Sequence, residues 1–209
     1  TKAFTCQLLV LKILNIKFAS DLHKISAKQR SNLLNGLLEL PRLFSEILSQ
    51  NENIKKLCKK FINSNSVLYL GRDILYPIAL EGALKLKEIS YLHAEGYASG
   101  ELKHGPIALI DKSMPLVALN PWSKVFEKTL SNLEEVKARR GKIILLTDKK
   151  GKELSKDLTK SIFQLPSCSD FLTPILYSLP LQLIAYYTAL DKGTDVDQPR
   201  NLAKSVTVE

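Results

Sequence analysis

Residues Tyr76 to Pro106 read YPIALEGALKLKEISYLHAEGYASGELKHGP. Carboxylates Glu81, Glu88 and Glu95, lysines Lys85, Lys87 and Lys103, and histidines His93 and His104 are packed into a segment that otherwise has the makeup of a core. Ala, Leu and Ile at helical spacing predict a helix from Pro77 to Leu92, with Pro77 in the first turn, where a missing N–H costs little. At about 100° per residue, Glu81, Lys85 and Glu88 share one narrow stripe of that helix and Lys87 points away from it. GELKHGP predicts a short helical turn between glycines, with His104 at its end. A Glu/Lys stripe is commonly only a solvated face, and a histidine before Gly-Pro commonly only a turn residue. Spacing alone leaves both readings open.

Working outward, Ser66 to Leu70 (SVLYL) is a short apolar strand, and Gly71-Arg72-Asp73 is the loop that joins it to the helix. Strand, glycine turn and helix deliver side chains to the carboxyl edge of a parallel sheet. Further strands are expected at Pro115–Leu119, Lys142–Thr147 and, weakly, Ser161–Leu165, with helices at Ser123–Arg140 and Leu172–Leu190. Gly141 fits a helix C-cap. Asp148 to Lys160 reads as solvated surface. Upstream, Phe4 to Ala19 predicts a largely buried apolar helix. Ser26 or Ala27 to Gln50 predicts an amphipathic one, kinked or interrupted before Pro41, and Asn51 to Phe61 a third. Alternating strands and helices predict an α/β fold, a parallel sheet with helices on both faces, preceded by a helical lead-in. The expected divisions are a lead-in over 1–62, an α/β domain over 63–191 and a tail over 192–209. The tail lacks periodicity, yet Lys204 sits among small and apolar neighbours (NLAKSVTV), a makeup suited to folding over a site and closing it against water.

The chain has 209 residues, 45% of them apolar, with 30 basic and 21 acidic residues and a net charge of +9. The surplus suits an anionic ligand. Nucleic acid is the weaker option, because the lysines are scattered among acids and no basic arm with interleaved aromatics appears. Cys6, Cys58 and Cys168 make no zinc pattern and no disulfide framework, which points to reduced thiols, each a small buried hydrophobe, in the cytoplasm. Phe171 to Leu190 is free of charges but interrupted by Pro174, Pro180 and Gln182, so a buried helix explains it better than a membrane span. The chain opens on Thr1 with Met114 its sole methionine, as a piece of a longer protein would.

The run GALKLKEISYLHAEGYASGELKHGP resembles the signature of the isomerase region of the glutamine–fructose-6-phosphate aminotransferase family. The terminal GTDVDQPRNLAKSVTVE is similar to the end of the same enzymes, and TKAFTCQL to the segment leading into the second half of that region. The resemblance implies a sugar isomerase (SIS) fold of about five parallel strands sandwiched by helices. It implies conversion of fructose 6-phosphate and glutamine-derived ammonia to glucosamine 6-phosphate, in a homodimer, without cofactor or metal, nucleic acid or membrane. It places ring opening on His104, supplied across the dimer, and the Schiff-base amine on Lys204. Glu88 becomes the base that moves a proton between C1 and C2. Lys85 would set a cation beside Glu88 and assist at the sugar hydroxyls, and the backbone at Ala203 would touch substrate. An N-terminal glutaminase domain and a first SIS half, with its serine- and threonine-rich phosphate loop, are missing, so little turnover is expected from this chain alone. Three departures, GRD, GYASG and Arg140, touch none of these residues. Alternatives are a related sugar-phosphate isomerase or deglycase, disfavoured by the lysine tail, and a non-catalytic sugar-phosphate-binding module.

Overall fold

The computed structural model describes residues 2–201. Helices α1 (Lys2–Asp21), α2 (Ala27–Leu48) and α3 (Asn51–Cys58) come first. An alternating run follows: β1 (Ser66–Gly71), α4 (Tyr76–Ser90), β2 (His93–Ala98), β3 (Pro115–Leu119), α5 (Phe126–Ala138), β4 (Lys142–Thr147), α6 (Lys149–Leu154), β5 (Ile162–Gln164) and α7 (Thr173–Asp191). The five strands form one sheet in the order β2-β1-β3-β4-β5, every pair parallel. The chain leaves β1 for β2 on one side and returns to β3 on the other, which puts the topological switch point between β1 and β3.

The central strands are apolar on both faces, as a sheet covered on both sides requires. Val67, Tyr69, Val117, Leu119, Ile144 and Leu146 pack under α3, α4 and α7. Leu68, Leu70, Leu116, Ala118, Ile143 and Leu145 pack on the opposite face with Leu133 and Val136 of α5. The expected α/β sandwich is present, and the charge-free run near residue 180 is α7, a buried core helix. A third cluster, Ile16, Leu37, Leu40, Leu172 and Ile175, joins α1 and α2 to the start of α7.

Several expectations fail for identifiable reasons. The fifth strand, β2, has no apolar run (HAEGYA), because it is an edge strand with only one partner, β1. Its Gly96 lies so close to α4 that an added Cβ would stand 2.9 Å from the Leu80 backbone. Helix α2 runs unbroken through Pro41; upstream, Ser26 caps its start with a reciprocal Gln29 bond. The stretch after β4 is not all solvated loop: Asp148 accepts from the Gly151 N–H at 2.9 Å and starts α6. The largest departure is α1, of which only Ile16 is buried. Val10, Leu11, Ile13, Leu14 and Phe18 stand 40–61% exposed. By length and composition α1 could cross a bilayer (mean hydropathy 1.3). Lys12 and Lys17 fall inside it, and each would cost about 2.5–3.5 kcal/mol at a bilayer centre. Of the thiols, Cys58 is buried, Cys168 half-buried and Cys6 exposed, against the expectation that all are core. Burial pushes the Cys58 thiol up to about 12.

Candidate functional site

Helix α4 starts immediately after the β1 turn and is held down by buried Ile78, Ala79, Gly82, Ala83 and Leu86. That packing leaves one polar ladder, Glu81, Lys85 and Glu88. The Lys85 ammonium lies 2.5 Å from Glu88 Oε2 and 3.8 Å from Glu81 Oε1. The three side chains are 18%, 27% and 13% exposed for Lys85, Glu88 and Glu81, so this is no solvated surface stripe. Burial raises the Glu81 carboxyl above its ordinary range; Lys85 opposes the rise and the nearby Glu88 charge adds to it. A carboxylate held beside a cation at the mouth of a groove is suited to accept a proton from a bound ligand.

The ladder's far end opens on a groove lined by Leu84, Lys87, Glu88, Tyr91, Arg200 and Asn201. The predicted helix to Leu92 stops at Ser90, because Tyr91 takes a left-handed conformation (φ 59°) and caps α4 with its N–H on the Lys87 carbonyl. The chain after α7 comes back to this point. Thr194 Oγ1 donates to the Ile89 carbonyl at 2.6 Å, and the Arg200 N–H donates to the Tyr91 hydroxyl at 2.9 Å. Ala203 and Lys204 lie outside the described residues.

His104 ends the 3₁₀ turn Ser99–His104 and is exposed. Gly105 follows at φ 136°, a backbone angle that only glycine adopts freely, and releases the chain into the next turn. The turn is fastened to α5 by Lys103 and Glu135 at 2.8 Å, and Gly100 leaves room for the Arg72 guanidinium, which donates to Asn132 Oδ1 at 2.9 Å. Glu88 lies where α4 leads into the start of β2, whereas His104 follows the end of β2. Six residues of strand span about 20 Å. One chain therefore brings Glu88 and the chain at 200–201 to one groove and carries His104 past the other end of β2.

A second concavity sits at the switch point. Arg72, Asp73, Asn120, Ser123, Lys124 and Thr129 line it, beside an α5 N-terminus that no side chain caps. His93 and Glu95 of the opening stretch lie on the edge strand β2, 3.5 Å apart, and Glu95 accepts from the Tyr97 hydroxyl. No cluster of three or more metal-ligating side chains occurs among the described residues. Sequence reasoning missed Tyr91 and Arg200. A left-handed tyrosine has no marker in sequence, and Arg200 stood in an aperiodic tail.

Known proteins match this architecture. The SIS domain model covers residues 60–192. The chain is 54% identical over all 209 residues to a glutamine–fructose-6-phosphate aminotransferase [isomerizing] of Bartonella quintana and 56% identical to one of Bradyrhizobium diazoefficiens. It spans 34% of the length of these curated relatives. Among solved structures it superposes on the C-terminal domain of glucosamine-fructose-6-phosphate aminotransferase from Francisella tularensis with a TM-score of 0.88 at 44% identity, covering 95% of this chain and 56% of that one. A glucosamine-6-phosphate deaminase from Thermotoga maritima superposes with a TM-score of 0.74 at 25% identity, over 100% of this chain and 57% of that one. The five-stranded parallel sheet, its 2-1-3-4-5 order and the match over residues 60–192 establish that the chain belongs to the SIS domain family.

Proposed function

We propose that the chain is the catalytic second half of the isomerase region of a glutamine–fructose-6-phosphate aminotransferase, a cytoplasmic enzyme acting on fructose 6-phosphate as a homodimer. The single observation that carries this is the half-buried Glu81–Lys85–Glu88 ladder, open at one end to the groove where residues 200–201 arrive. Asn201 stands three residues before Lys204, and three residues of chain reach at most about 10 Å. That short spacing supports a role for Lys204 at the groove that Glu88 lines. The Lys204 amine would attack the C2 ketone and expel water to form a Schiff base, from which ammonia displaces it. Glu88 would carry the proton from C1 to C2, leaving an aldehyde at C1 and an amine at C2. Lys85 pairs with Glu88 and meets the sugar hydroxyls; the Ala203 backbone lies beside the nucleophile in sequence.

The placement of His104 after the end of β2, with Glu88 before its start, supports its service to a neighbouring subunit's site. The phosphate cradle and the ammonia source belong to the remaining two thirds of such a protein. The 209 residues alone are expected to show little or no turnover.

Borohydride trapping with fructose 6-phosphate, read by mass spectrometry of the terminal peptide, tests this. With the first isomerase half supplied, an adduct on Lys204 is expected, absent in Lys204→Ala and retained in Glu88→Gln, which loses isomerisation. No adduct in the assembled protein overturns the Schiff-base role. A second reading, a sugar-phosphate-binding module without chemistry, is favoured by the switch-point cleft with Arg72 and Lys124 on its wall. It predicts sugar-phosphate binding that survives both substitutions.

A further inference from the structure

We infer that Tyr91 is a positioning residue, a latch that fixes the root of the terminal segment beside Glu88; the inference rests on the Lys204 reading above. The segment after α7 is built step by step toward this tyrosine. Gly193 turns the chain at φ 69°. Thr194 ties it to the Ile89 carbonyl of α4, and the Asp195 carboxylate accepts from the N–H groups of Asp197 and Gln198, at 2.9 and 3.0 Å, to close a compact turn. Pro199 then narrows the choice of backbone angles. Arg200 meets Tyr91 twice: its N–H donates to the phenol oxygen, and its guanidinium lies 4.2 Å from the ring centroid.

Tyr91 does two things at one place. Its backbone ends α4 three residues after Glu88, and its ring and hydroxyl hold the residue four before Lys204. A tyrosine is a poor choice for the cap alone. Its conformation is left-handed, where glycine is the ordinary residue and a side chain is strained. Backbone strain that persists at the mouth of a groove is the signature of a side chain kept for another purpose. With Arg200 anchored on the ring, the segment that carries Lys204 starts from a fixed point beside Glu88, and a fixed starting point favours reaction at the sugar.

The choice of variant separates latch from fold. Tyr91→Gly removes ring and hydroxyl but relaxes the left-handed cap, so α4 should fold at least as well. Tyr91→Phe keeps the stack and loses only the acceptor. Hydrogen exchange of the 194–209 peptide is measured on the 209-residue chain. The rate of Lys204 trapping is measured with the first isomerase half supplied. In Tyr91→Gly the unfolding midpoint should hold, peptide exchange should quicken and trapping should slow by about tenfold or more. Tyr91→Phe should fall between it and the unaltered chain. Unchanged exchange in Tyr91→Gly overturns the latch. Faster exchange with unchanged trapping overturns its positioning role. If the unaltered protein traps nothing, the Schiff-base reading fails instead, and exchange alone decides whether Tyr91 holds the segment.

Discussion

Lys85 is the residue on which the ladder depends. Helical geometry sets Glu81 and Glu88 on one face, and the Lys85 ammonium stands between them. Lys85→Met keeps the volume but leaves two partly buried carboxylates without a cation, and should lower stability at pH 7 by about 1–3 kcal/mol. Urea unfolding reads this, and Glu81→Gln added to Lys85→Met should restore part of the loss. Glu81 itself sets a pH dependence. Burial raises its folded-state value above the ordinary 4.5, so the folded chain keeps the proton after the unfolded chain has lost it. Its contribution therefore favours folding at acidic pH and declines as pH rises from 4.5 through the raised value, then stays level. Glu81→Gln should remove that decline from a plot of unfolding midpoint against pH. A midpoint curve identical to that of the unaltered chain would show that Glu81 is not desolvated.

At the scale of elements, the site depends on how closely β2 rides on α4. This strand carries the chain from Glu88, before its start, to His104, past its end. Gly96 permits the close approach. A methyl group there would meet Leu80 backbone and side-chain atoms at 2.9–3.0 Å, and backbone cannot give way as a flexible side chain can. Gly96→Ala should destabilise the chain by about 1–3 kcal/mol, measured by chemical denaturation. Loss of less than a few tenths of a kcal/mol would mean that the edge strand moves freely off the helix. Helix α2 makes the complementary point: Pro41 predicts a kink or interruption, but Leu37, Leu40, Leu43 and Ile47 bury one face across it and hold the helix together.

For the molecule as a whole, the sheet and its two cores are closed, whereas α1 presents a broad apolar face. Val10, Leu11, Ile13, Leu14 and Phe18 are more exposed than a packed helix of this composition requires. The native 209-residue chain should bind the dye ANS through this face, and Leu11→Lys with Phe18→Lys should abolish most of the signal without lowering the unfolding midpoint. Dye binding unaltered by that pair would place the apolar surface elsewhere.

Much was legible in the residues themselves. The apolar runs SVLYL, PLVAL and KIILLT announce strands buried on both faces, and their alternation with helical periods dictates a parallel sheet. The Glu81, Lys85 and Glu88 stripe follows from helical geometry alone. Local patterns could not find β2, because an edge strand needs no apolar run. Nor could they reveal that α1 is bare, because burial depends on what packs against a helix rather than on its own composition. The separation of Glu88 from His104, close neighbours in sequence, and the meeting of Tyr91 with Arg200, far apart in sequence, were decided by the tertiary structure. The sheet fixes which edge each loop emerges from, and the return of the chain after α7 fixes which distant residues touch.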